Sequence, residues 1–69
     1  MKISARNRFR GKIIEVKKGA TTAHVRLEVN GTVVTASVTN EAVDELGLTA
    51  GKEAIAIVKA SDVMIAIDE

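Results

Sequence analysis

"AHVRLEVNGTVVTASVTNEAVDELGL", residues 23–48, carries three successive signals that set the fold. Val25, Leu27 and Val29 alternate with His24, Arg26 and Glu28, the period of two expected of a half-buried strand. Asn30-Gly31 follows, a pair that tolerates positive φ at both positions and so marks a tight hairpin. "TVVTASVT" then returns as the partner strand. The pattern next changes period. Ala42, Val43 and Leu46 fall on one helical face, Thr39 or Asn40 can cap its start, acids sit in its first turns, and Gly47 can stop it.

Outward from this unit the rest reads as strands. Residues 3–16 are expected to form one long strand bent at Gly11, since glycine inside a strand marks a bulge or tight bend. "KKGATT" (17–22) and "TAG" (49–51) are turns. "KEAIAIVKA" (52–60) and "DVMIAID" (62–68) are expected as two closing strands. The order β-β-β-α-β-β defines an all-β chain with one short helix, arranged as an OB-like five-stranded Greek-key barrel. No linker, repeat or low-complexity segment divides it, so residues 1–69 form a single domain.

Composition narrows the function. A 69-residue domain is only marginally stable alone, and disulfides, a structural metal or oligomerisation are the usual remedies. The chain has no Cys, and His24 is its only His, so disulfides and a Cys/His metal site are excluded. Self-association remains, and the apolar content of 46% with 1% aromatics points the same way. No apolar run approaches the ~20 residues of a membrane span, and no signal-peptide core is visible, so a cytoplasmic location is expected.

No constellation supports catalysis. His24 lies in a strand pattern with no nucleophile in reach, and Asp44-Glu45 and Asp68-Glu69 read as solvated charges. The chain is therefore expected not to be an enzyme. An OB-type single-stranded nucleic-acid-binding module is the alternative, carried by the basic stretch from Lys2 to Lys18. Such sites stack bases on aromatic platforms, and Phe9 is the only aromatic residue. The net charge of +1 supplies no strong field either.

An anion is a further candidate, although each feature also has a plain structural reading: Lys17 and Lys18 as turn lysines, Ser61 as a strand end, Thr39 as a helix cap. Ser4 and Arg6, two apart on the expected first strand, share a face. Thr39 and Asn40 place a hydroxyl and free N–H groups at a helix start. Lys59, Ala60 and Ser61 end a strand with an ammonium and a hydroxyl. Gly19, Ala20, Thr21 and Thr22 add turn N–H groups and two hydroxyls. Arg and Lys only donate hydrogen bonds, which suits a fully ionised oxyanion.

"ISARN", "KKG", "VTNEAVDELGL" and "VKASDVMIAID" together resemble the molbindins, small molybdate-binding (Mop, TOBE-like) proteins, over nearly the whole chain. The resemblance implies an OB-like barrel assembled as a hexamer, a trimer of dimers. It implies that tetrahedral molybdate or tungstate is bound between subunits, for storage and homeostasis in the cytoplasm. It implies an oxyanion site drawing on Ser4 and Arg6 (with Ala5 between them), Thr39 with Asn40, Lys59 and backbone at Ala60, beside Ser61. A hydroxyl often stands three residues beyond the Thr in that family. Here the position is Ala42, which leaves a backbone N–H but no side-chain donor. A second anion site is expected around Gly19, Ala20, Thr21 and Thr22. No residue is expected to ligate the metal atom directly.

Overall fold

The structure is a computed structural model describing residues 1–69. Four strands and one helix follow in order: β1 (Asn7–Lys18), β2 (Thr22–Val29), β3 (Thr32–Thr39), α1 (Asn40–Leu46) and β4 (Glu53–Val58), with a single 3-10 turn at Ala60–Asp62. All neighbouring strands are antiparallel, in the order β3-β2-β1-β4.

The central unit forms as its pattern dictates. Asn30 and Gly31 both take positive φ, 48° and 86°, and the hairpin closes with Val29 opposite Thr32. The Gly31 N–H is taken by the Glu28 carboxylate at 2.6 Å. Thr39 caps α1 with its side-chain oxygen, and Gly47 ends it in the left-handed region at φ 62°. The Gly47 and Leu48 N–H groups return to the Asp44 and Val43 carbonyls, the double bond that closes a helix through glycine. Lys52 Nζ adds bonds to the Leu46 and Gly47 carbonyls at 3.1 and 3.2 Å, placing a cation at the negative end of the helix.

β1 serves two partners. Asn7 to Lys12 pair with β4, and Lys12 to Lys18 pair with β2. The changeover is tight. A Cβ on Gly11 would lie 2.3 Å from the Glu28 carbonyl oxygen, so only glycine permits this approach. The close approach is therefore at Gly11, while the irregularity in the ladder falls two residues on, between Ile13 and Glu15. There Ile13 bonds to the 51–52 loop, donating to the Lys52 carbonyl and accepting from the Gly51 N–H. This doubled use of β1 curls the sheet into a half-barrel.

The concave face holds Ile13, Ala23, Val25 and Leu27, with Val43 of α1 laid over them. These five are the only buried residues of 69, a very small core for one chain. The sheet does not close. Between β3 and β4 an apolar groove of about 530 Å³ remains, lined by Val25, Leu27, Val34, Ala36, Val38 and Ala56 among others.

Two expectations are corrected here. The mostly β, OB-like class with one helix stands, but the fifth strand does not form within the chain. Residues 63–69 make no ladder, and Met64, Ile65 and Ile67 are 92%, 87% and 78% exposed. The apolar run from Val63 to Ile67 is there without a neighbour to hydrogen-bond. The first strand also begins at Asn7 rather than at residue 3, because the β4 ladder runs out at the Asn7–Val58 pair.

Candidate functional site

The polar donors singled out in the sequence fall into two groups, at opposite ends of β1. The first group lies where the β1–β4 ladder frays. Asn7 pairs with Val58 as the last rung, and Asn7 Nδ2 also donates to the Val58 carbonyl at 3.2 Å. Ser4, Ala5 and Arg6 precede that rung, and Lys59, Ala60 and Ser61 follow it, so the two segments leave the sheet at the same end. Ser4 and Arg6 sit in bends, so the two-residue alternation of a strand does not set their directions, contrary to the expectation. Lys59 precedes the 3-10 turn, which is held by the Asp62 N–H on the Lys59 carbonyl at 2.9 Å.

The charges of this group are uncompensated. The chain's ion pairs are Arg10–Glu53, Lys18–Asp44 and Arg26–Glu15; none involves Arg6 or Lys59. Both side chains are exposed, as are the Ser4 and Ser61 hydroxyls. Two cations and two hydroxyls at one end of the sheet, with Asp62 the one carboxylate in these segments and not ion-paired to either cation, suit a dianion in charge and in hydrogen-bond polarity.

The second group is built at the other end, where β1 runs into β2. Thr39 lies opposite Thr22, and Ala23 opposite Lys18. Thr39 Oγ1 accepts the Ala42 N–H at 3.0 Å, so the N–H expected to be available at Ala42 is already engaged. The Thr39 hydroxyl keeps its own proton free to donate. Asn40 is engaged twice: its N–H donates to the Thr21 carbonyl and its Nδ2 to the Gly19 carbonyl, both at 3.0 Å. Gly19 N–H closes the turn on the Thr22 carbonyl at 2.7 Å. Beside the turn lies a shallow polar hollow lined by Lys17, Lys18, Gly19, Thr22 and His24. Lys18 is turned towards the helix, 2.6 Å from Asp44. His24 is exposed and faces Lys17 across the strands.

The two groups do not meet within one chain. Twelve residues of β1 separate them, roughly 36 Å of strand at ~3.3 Å per residue, in a molecule 40 Å long. The groove between β3 and β4 does not help: it is lined mostly by apolar residues, and its two cations, Arg10 and Lys52, are engaged with Glu53 and with the Leu46 and Gly47 carbonyls.

Sequence reasoning overlooked two supporting side chains. Asn7 pins the rung from which both segments of the first group depart, and Lys52 ties down the far end of α1. Neither carries a local signal, because each bonds a carbonyl that only the folded chain brings near.

Comparison with known proteins gives one consistent result. The family profile described as the TOBE domain matches residues 3–65. Molybdenum-pterin-binding protein 2 of Clostridium pasteurianum is 47% identical over 66 residues, which cover 94% of this chain and 97% of that protein. Among solved structures, a molybdate-binding protein from Sporomusa ovata superposes with a TM-score of 0.94 at 33% identity, covering 97% of this chain and all of that one. The cytoplasmic molybdate-binding protein ModG, solved with molybdate bound, gives a TM-score of 0.89 at 45% identity, over 93% of this chain and 46% of that one.

Proposed function

This chain belongs to the TOBE domain family, and from that premise we propose that it binds molybdate, or tungstate as its close analogue, at sites shared between copies of itself. Its role on this reading is storage and buffering of the oxyanion in the cytoplasm, by residues 1–69 acting as one oxyanion-binding domain. The relatives are binding proteins, and no catalytic step enters the reading.

One observation carries the shared-site form of the proposal: the two donor groups lie at opposite ends of β1. An anion that takes donors from both must sit where the Arg6–Lys59 end of one chain meets the Thr39 end of another. Molybdate at neutral pH has four acceptor oxygens, two negative charges and no proton. Arg6 and Lys59 supply charge-assisted bonds that balance both charges. Ser4, Ser61 and Thr39 donate through hydroxyls, and backbone at Ala5 and Ala60 completes the shell, so that no oxygen is buried unpaired. Ala42 lends its N–H to Thr39 and thereby orients the hydroxyl. The turn at Gly19, Ala20, Thr21 and Thr22 is the position for a second anion.

Self-association has its own support. Residues 63–69 present an uncovered apolar edge, and the groove between β3 and β4 is an uncovered apolar trough. Residues 63–69 of a second copy, laid in the trough as a fifth strand, would cover both at once and pair an open sheet edge. A hexamer built from three such dimers is the assembly we propose. The nucleic-acid alternative gains nothing: Arg10 and Arg26 are paired with Glu53 and Glu15, and Phe9 offers the only stacking surface.

Native mass spectrometry with added molybdate, and sulfate as control, tests the reading. The expected result is an oligomer that gains several molybdates and few sulfates. A monomer that takes up neither would overturn it.

A further inference from the structure

We propose that Asn40 is a positioning residue and not an anion ligand: it fastens the Gly19–Thr22 turn to the start of α1, so that an oxyanion held at Thr39 also orders the turn. This rests on the reading that oxyanion binds at Thr39.

The donor inventory of Asn40 decides its role. An asparagine has three N–H groups in all, one on the backbone and two on the side chain. The backbone N–H is spent on the Thr21 carbonyl and Nδ2 on the Gly19 carbonyl. Oδ1 is buried and accepts from nothing. Turning the amide over would set Oδ1 against the Gly19 carbonyl, acceptor against acceptor, so the side chain is fixed in this sense. One Nδ2 hydrogen is left over, and the buried Oδ1 has no hydrogen to give an oxyanion, so most of what Asn40 can donate goes to the turn. A residue that leaves a buried acceptor unpaired in order to hold two turn carbonyls is serving the turn.

The bonds form a closed circuit. Thr39 lies opposite Thr22 on the β2–β3 ladder, the Thr22 carbonyl takes the Gly19 N–H, the Gly19 carbonyl takes Asn40 Nδ2, and Asn40 follows Thr39 in the chain. Any shift at Thr39 is therefore transmitted to the turn through two routes, and Asn40 is the one that a single substitution removes.

The test is amide hydrogen exchange and molybdate calorimetry on the intact protein, comparing wild type with Asn40→Ala and Asn40→Asp. The Asp variant keeps the size, loses the donor and adds a negative charge, so it is compared with Asn40→Ala only without molybdate, where similar exchange in both points to the lost bond rather than to packing. Without molybdate, exchange of the Gly19 amide should quicken about tenfold in both variants, the worth of one hydrogen bond. Molybdate should protect Gly19 in the wild type and leave it unprotected in Asn40→Ala, while affinity falls by less than about tenfold. Equal protection of Gly19 by molybdate in wild type and Asn40→Ala would overturn the coupling. Loss of binding by about a hundredfold with Gly19 exchange unchanged would make Asn40 a ligand. Should the wild type bind no molybdate, the oxyanion reading fails by itself, and Gly19 exchange in the unliganded variants still decides whether Asn40 braces the turn.

Discussion

At its Asn7 end β1 releases two segments that bond to little, while at its Lys18 end every turn and cap is tied to another. Arg6 and Lys59 find no partner within the chain, and Ser4 and Ser61 are exposed. Thr39, Asn40, Gly19 and Thr22 are joined by a ring of bonds between 2.7 and 3.0 Å. The contrast separates two tasks. One end supplies charge and waits for a neighbour; the other supplies a preformed surface.

The contrast can be broken most severely by deleting residues 63–69. In a fifth strand Ile65 and Ile67 share a face, and their burial against a partner is worth about 1.5–3 kcal/mol each, so the deletion should convert the proposed oligomer to monomer in native mass spectrometry. An unchanged oligomer would show that the groove is covered by something else. Arg6→Ala comes next. Loss of a charge-assisted bond should cost about 1.5–3 kcal/mol of molybdate affinity by calorimetry, while the melting temperature stays put, since Arg6 bonds to nothing in the chain. A parallel fall in stability would place Arg6 in the frame.

Gly11→Ala strikes the strand that connects the two ends. Its Cβ would overlap the Glu28 carbonyl, and about 1–3 kcal/mol of destabilisation is expected in a denaturant titration. Thr39→Ala removes the helix cap at about 1 kcal/mol, and Thr39→Ser should restore both stability and anion binding. The smallest effect belongs to Lys18→Ala. Its ion pair with Asp44 is short but exposed at both partners, so thermal unfolding should register no more than about 0.5 kcal/mol.

The middle of the chain was legible because its instructions are local. Asn30-Gly31 closes its hairpin, Thr39 caps and Gly47 stops the helix, and Val25 and Leu27 go inside, since each depends on residues within a few positions. The outer segments follow a different logic. "DVMIAID" carries a short apolar run, yet such a run says only that a strand is wanted and not which chain supplies its neighbour. Ser4 and Arg6 were assigned a shared face by a rule that holds inside a ladder, and the ladder starts one residue later, at Asn7.

The sequence by itself determined the β-rich class, the hairpin, the capped helix, the likeness to a family of oxyanion binders and the residue types a dianion needs. Hydrogen-bond polarity and period are properties of residue type and order, so they can be read without coordinates. Only the tertiary structure decided that the donors stand in two groups at the ends of one long strand, that the barrel is left open, and that Asn40 spends two of its three N–H groups on the Gly19–Thr22 turn. Those facts depend on which segments β1 brings together, and β1 brings β4 to one half of its length and β2 to the other.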